Sequence, residues 1–387
     1  QGAAEFRAND GAASSQEAPV AASGGDGRVM IAYTSRVISS GDFATEIMAR
    51  TFDEDGLEVV AEHIVHGGVQ SLAQSTPVIA GSAAGFVVAW NSEEEDGDLD
   101  GIFARRYNAL GGALDTENIA VNISASGYQR QPAIAMHTDG RWVAAWNGQS
   151  STAGSTSDVY ARVFGADGVG GAEFVLNSTL ANVQERPALA MVPFTNDFVA
   201  AWQSRSQDGD GLGIYVRRFG LDGTAKTMEL PVNTRTTGDQ RNPTIAVSQT
   251  NQVAVCWESV GHVVAGKPGI ACQYLRTSDL LPVGSEFLAF SRAEEQATAN
   301  ARFQADGRLA VAFQTLALDS ASYGIQLVRM NNLGVAVGPR LNANRTWLDA
   351  QTRPFVVPLD DRLFVGWQSQ LQDGAEGGIF FRILSQP

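Results

Sequence analysis

Apolar residues along this 387-residue chain come in short runs, each closed by a cluster of Gly, Asp, Asn or Pro. One stretch carries four of them: 188–192, 198–202, 213–219 and 228–233, the last weakened by Pro231. Runs of this length, rich in β-branched and aromatic residues and bounded by turn formers, predict strands. No window of helical length shows a 3.6-residue period, so the pattern speaks against amphipathic helices.

The four-run unit recurs at a period of about 56 residues. An aromatic closes its second run: Tyr33, Trp90, Trp146, Trp202, Trp257, Phe313 and Trp367. A glutamine opens a Q-x-x-P signal in the same phase: Gln16, Gln74, Gln129, Gln184, Gln240, Gln296 and Gln351. Proline follows in six units, and Ala299 replaces it in the other. Two markers in phase at one period define a repeat architecture. Four strands per unit in seven units predict an all-β fold, a seven-bladed β-propeller with four-stranded blades around a central channel. The unit is longer than a kelch repeat and lacks the G-H and W-D marks of WD40. Length alone suggests two or three domains; the unbroken repeat predicts one. The expected blades are 11–66, 67–122, 123–177, 178–233, 234–290, 291–342, and 343–387 completed by 1–10.

The last clause follows from the fourth strand, which carries Glu four residues before Asn (Glu173 and Asn177; Glu229 and Asn233). The seventh unit stops after its third strand, and Glu5-Phe-Arg-Ala-Asn9 stands at the other end of the chain with the same spacing. Pairing the two closes the ring and covers a bare sheet edge. Register is legible as well. A two-residue type I′ turn at Asp208-Gly209 sets Trp202 against Tyr215 and Ala201 against Val216. The same turn at Asp96-Gly97 sets Trp90 against Phe103, and at Asp373-Gly374 it sets Trp367 against Phe380. Such aromatic pairs stabilise a sheet by roughly 0.2–1 kcal/mol each. The aromatic column therefore reads as blade-to-blade core.

Charge narrows the partners. With 27 basic and 42 acidic residues the net charge is −15, which argues against nucleic acid and anionic membrane surfaces. No apolar run approaches the ~18 residues of a membrane span, so no membrane insertion is expected. The chain begins Gln-Gly-Ala-Ala, and reads as a processed, mature form. Both cysteines fall in unit five. Cys256 takes the slot of Ala201 and Cys272 that of Val216, facing positions in the register above. A cross-strand disulfide is expected, with two buried thiols as the alternative. It would put the protein in an oxidising compartment: secreted, cell-surface or periplasmic. Three N-x-S/T triplets start at Asn122, Asn177 and Asn344.

The string Trp202-Gln-Ser-Arg-Ser-Gln-Asp-Gly-Asp-Gly-Leu-Gly-Ile-Tyr-Val-Arg-Arg-Phe219, with Glu229, Val232-Asn233 and Gln240 to Pro243, resembles the propeller repeats of secreted and surface proteins of bacteria. It is more distantly similar to the FG-GAP repeats of integrin-type propellers, whose acidic cage it matches in part. The resemblance spans the chain. It implies an extracellular setting and a role in adhesion or assembly, and it brings no catalytic residues.

Several positions carry candidate chemistry. Asp96, Asp98 and Asp100 have the D-x-D-x-D-G spacing of a calcium loop. Tyr107 stands where the bidentate Glu would be, and Asp208 and Asp373 repeat the first acid, which favours a turn role. The repeated Gln reads as a clip between loops and neighbouring blades. The third-strand Arg50, Arg105, Arg162, Arg217 and Arg382 read as scaffold. Loops between second and third strands, and between blades, share one face and vary most. Binding sites concentrate on such loops. On that face lie Tyr128, Arg130, Arg186, Arg241, His262, Trp347 and Arg353. The arginines just before the prolines either ring the channel mouth and attract an anion, or pair with surface acids at little gain. His63, His66, His137 and His262 show no metal-ligand spacing, and no G-x-S-x-G, H-E-x-x-H, P-loop or sialidase-type box occurs. The expectation is an extracellular, non-catalytic propeller that binds a protein partner or joins an assembly. A glycan-binding lectin is the second reading. A polysaccharide lyase or hydrolase with its site at the channel mouth is the third.

Overall fold

In a computed structural model the apolar runs become antiparallel strands; among the described residues no α-helix forms and a single 3-10 turn spans Gly25–Gly27. The description covers every residue except 1–3, 11–13, 40–41, 68–72, 151–154, 291–293, 317–321, 347–348, 373, 375 and 386–387. Asp373 and Trp347 therefore lie outside the described residues.

The strands pair as seven meanders of four. Two of these join into one eight-stranded sheet, because Ser155 and Ser157 pair in parallel with Asn182 and Val183. Each meander starts at the axis with a strand that holds the repeat's Gln: Gln16–Ser23, Gln74–Ser82, Gln129–Met136, Asn182–Val192, Gln240–Val247, Gln296–Phe303 and Gln351–Leu359. These inner strands pack in ring order, and the last returns to the first. The core is divided likewise. Seven apolar clusters each join two adjacent blades, and the seventh unites Phe355, Phe364 and Phe381 with Val29, Ile31 and Tyr33. The chain is an all-β propeller.

The aromatic column is core. All seven members are at most 1 % exposed. Trp202 faces Tyr215, Trp90 faces Phe103 and Trp367 faces Phe380, as the register predicts. The turn that led to this register is different. Pairing stops at Arg205–Leu212 and at Glu93–Asp100, so six-residue loops replace two-residue turns. Positive φ falls on Ser206 and Gly209, or on Glu94 and Gly97, and not on the Asp. The Asp is drawn elsewhere: Asn122 Nδ2 donates to Asp96 at 2.7 Å, and Asn233 Nδ2 to Asp208 at 3.0 Å.

Three repeated side chains brace the blades, one within each blade and two between neighbours. The Asn after the fourth strand accepts a bond from the third-strand backbone, as from Ile102 to Asn122 (2.7 Å) and Ile214 to Asn233 (2.7 Å). The third-strand Arg donates to the carbonyl just before the preceding blade's Asn or its equivalent. Arg105 reaches Val65 O at 2.7 Å, Arg162 reaches Val121 O at 3.0 Å and Arg382 reaches Ala343 O at 2.6 Å. The fourth-strand Glu accepts backbone N–H groups from the link that follows that neighbour's Asn, as Glu286 does from Thr234 (2.8 Å). These arginines are scaffold because their hydrogen bonds satisfy buried carbonyls that water cannot reach.

The N-terminal segment completes the seventh blade. Phe6 pairs with Phe381 and Arg7 with Phe380. Asn9 then plays the repeat's part, accepting from Ile379 N at 2.8 Å. Cys256 and Cys272 stand directly opposite one another and are joined as a disulfide. Asn122, Asn177 and Asn344 are 6 %, 3 % and 1 % exposed with their amides bonded internally, so the folded chain has no room for a glycan on them.

Candidate functional site

Every inner strand has a β-bulge two residues after its Gln. The register slips between Glu17 and Val20, and at the matching place in the other six blades. The bulged residue is never glycine, yet its φ is positive each time: Ala18 (54°), Thr76 (53°), Gln131 (55°), Arg186 (54°), Asn242 (54°), Thr298 (53°) and Arg353 (51°). Left-handed backbone at a non-glycine residue costs on the order of 1–3 kcal/mol and survives only where its surroundings over-determine it. Here the determinant is visible. In four blades the residue after the column aromatic reaches across to the next blade's bulge. Gln203 Oε1 accepts from Asn242 N (2.8 Å), Glu258 from Thr298 N (2.8 Å), Gln314 from Arg353 N (3.1 Å) and Gln368 from Ala18 N (3.2 Å). The repeated Gln, at most 4 % exposed, holds the preceding loop; Gln129 and Gln240 donate to carbonyls two and three residues upstream. The Q-x-x-P signal thus encodes a bulge inside a strand, with proline where the ladder is already broken.

The seven bulges surround the mouth of the axial channel, a cavity of about 750 Å³. A second cavity of about 320 Å³ continues along the axis, and Arg302 lines both. Among the described residues the only acids in the walls are Glu17 and Glu258. Glu258 is committed to Arg241 (3.1 Å) and to the Thr298 backbone, while Glu17 lies 3.7 Å from Arg36. Burial alone pushes the Arg302 guanidinium below its ordinary pKa.

The arginines expected at the mouth divide. Arg186 and Arg353 line the cavity, exposed and with no ion pair among the described residues. Arg130 instead pairs with Asp100 and lies over the Tyr128 ring at 5.2 Å, and Tyr128 donates to Thr156 O (3.2 Å). Those two brace a loop between blades. Arg241 pairs with Glu258, and His262 contacts Ser259 (3.3 Å) and Glu286 (3.5 Å). Asp96, Asp98 and Asp100 do not converge. Asp96 meets Asn122, Asp98 accepts from Gly127 N (2.8 Å), and Asp100 meets Arg130. Among the described residues no three His, Cys, Asp or Glu side chains form a metal cage. Arg302 was missed by sequence reasoning. Its signal was present: six inner strands carry Ala22, Ala80, Ala135, Ala190, Ala246 or Val357 at the slot where the sixth blade has an arginine.

No protein-family model matches the chain, and no curated protein matches it. Solved structures do. A protein of unknown function from Dyadobacter fermentans aligns over 100 % of this chain and 99 % of its own, at 11 % identity and a TM-score of 0.58. The β-propeller domain of the trilobed protease from Pyrococcus furiosus aligns over 96 % and 95 %, at 10 % identity and 0.53. A polysaccharide lyase of family PL25, an ulvan lyase, aligns over 96 % and 94 %, at 8 % identity and 0.61. Identities this low speak to the fold, which these structures share with the chain along nearly its whole length.

Proposed function

We propose that this chain is an extracellular, non-catalytic binding propeller that takes a partner at the mouth of its axial channel. One observation carries the reading. Seven bulges of one backbone conformation present side chains of five kinds: alanine, threonine, glutamine, asparagine and arginine. A repeated frame with varied side chains is how a rigid scaffold presents a recognition surface. The disulfide supports an oxidising compartment. The resemblance to bacterial surface repeats supports adhesion or assembly, with a protein as partner. Lyase or hydrolase chemistry at this mouth needs a positioned acid and base, and the wall acids are already engaged by arginine and backbone. Lectin binding draws on stacking aromatics, and Phe355 is the one aromatic in the mouth's wall among the described residues.

The test is the native mass of the protein taken from its source, by light scattering, beside a variant carrying Arg186→Glu and Arg353→Glu. A mass well above 41.0 kDa with a partner present, lost in the variant, is the expected result. A monomer in both, or a partner indifferent to the substitutions, counts against the reading.

A further inference from the structure

We infer that the axial channel binds a carboxylate, with the guanidinium of Arg302 as its receptor and Arg186 and Arg353 as its rim. The inference rests on the mouth being a binding site and names the chemistry of what enters it.

Arg302 projects from the inner strand of the sixth blade at the junction of the two cavities. Its one hydrogen bond among the described residues runs from Nη1 to the carbonyl of its neighbour Ala301, at 2.9 Å. Among the described residues no carboxylate lies within ion-pair distance, and burial is the sole cause acting on its titration. A half-buried cation without a counter-charge is costly to keep. The chain as a whole carries −15, so acids are abundant, and yet none of the described ones faces this guanidinium. Arg186 and Arg353 add two further cations on blades four and seven. In a ring of seven those blades are three apart, so the two arginines stand on nearly opposite sides of the mouth. Low-dielectric walls focus such a field on the axis.

The guanidinium fork matches a carboxylate with two parallel bonds. A volume of about 750 Å³ falls in the range of small-ligand sites. Thr76, Gln131, Asn242 and Thr298 offer hydroxyls and amides to the rest of the ligand. Such a carboxylate comes either from a free organic acid or from an acidic sugar residue.

Titration calorimetry on the full chain with succinate and with galacturonate separates the two sources, with galactose as the uncharged control. Saturable binding of either acid is expected, weakening as salt is raised. Arg302→Ala should weaken it at least about tenfold, and Arg302→Lys should retain part of it. Alanine suits this slot, which five other blades fill with alanine, so the variant should melt with the wild type. Absence of binding by both acids, equal binding of galactose, or an Arg302→Ala variant that binds as well as the wild type overturns the inference. A partner held at the mouth of a chain that ignores both acids overturns it alone and leaves the binding reading intact.

Discussion

Burial would raise the carboxyl of Glu229, but hydrogen bonds from Gln207, Ser178 and Thr179 outweigh it and hold the group below the usual carboxylate range. The donors come from two places: Gln207 Nε2 (2.6 Å) from the loop between its blade's second and third strands, and Ser178 N (2.5 Å) and Oγ (3.0 Å) from the link that follows Asn177 of the blade before. A group whose folded pKa is depressed stabilises the fold above its unfolded value, near 4, and loses that contribution as pH falls through the folded value. Glu229→Gln should therefore cost about 2 kcal/mol at neutral pH, the scale of hydrogen bonds to a charged group. The gap between variant and wild type should narrow steadily from pH 5 toward pH 3. Chemical denaturation at several pH values checks this, and a constant gap would show that the charge contributes nothing.

Blade five departs from the repeat at several places at once. Gln273 fills the slot of the inter-blade arginine and bonds within its own blade, to Tyr274 O at 2.9 Å. Phe290 replaces the Asn, and Ile270 N turns to Gln296 at 3.3 Å instead. The disulfide sits in this blade, across its two central strands, closing a sequence separation of 16 residues. Loop-closure entropy for such a separation is worth roughly 3 kcal/mol. The double variant Cys256→Ala, Cys272→Val copies the facing pair Ala201 and Val216 of blade four, so packing is preserved while the crosslink is lost. Its guanidinium midpoint should fall to that of the reduced wild type, and equal midpoints for oxidised and reduced protein would sink the idea. The pairing was legible because a repeat transfers register: Cys256 meets Cys272 for the same reason that Ala201 meets Val216. The turns were not legible. A two-residue turn and a six-residue loop centred on the same Asp-Gly give identical strand register, so pattern alone does not separate them. What decides is Asn122 or Asn233, which claims the Asp from a distant strand. The bulges were hidden for a related reason, since proline reads as a strand boundary until the ladder is seen to break one residue earlier. The site was half legible. Arg186 and Arg353 stand two residues after the repeated Gln, on the bulge, whereas Arg130 and Arg241 stand one residue after it and are spent on Asp100 and Glu258; that one-position difference carries no meaning until the bulge is seen.

At the scale of the whole ring, one short segment decides whether seven blades behave as a closed body. Phe6 stacks on Phe381 with ring centroids 5.2 Å apart. Ala8 N donates to Ile379 O at 2.8 Å, and Arg50 of the first blade donates to Ala8 O at 3.0 Å. Glu5 accepts from Thr346 Oγ1 and Gln372 Nε2, at 2.9 and 2.8 Å. The segment thus touches the seventh blade, the link that leads into it and the first blade, and its loss bares both an edge strand and an apolar interface. Removing residues 1–10 should lower stability by roughly 3 kcal/mol or more, as losses of a packed aromatic and a buried hydrogen-bond network do. The deletion should also promote association through the open edge. Because the contacts are those of an added strand, a synthetic peptide of residues 4–10 should restore the melting temperature in trans, as strand addition does elsewhere. The same peptide with Phe6→Ala and Asn9→Ala should not. Rescue by both peptides would mean that the edge accepts any strand. A deletion that melts with the full chain would mean that the ring holds without its closure.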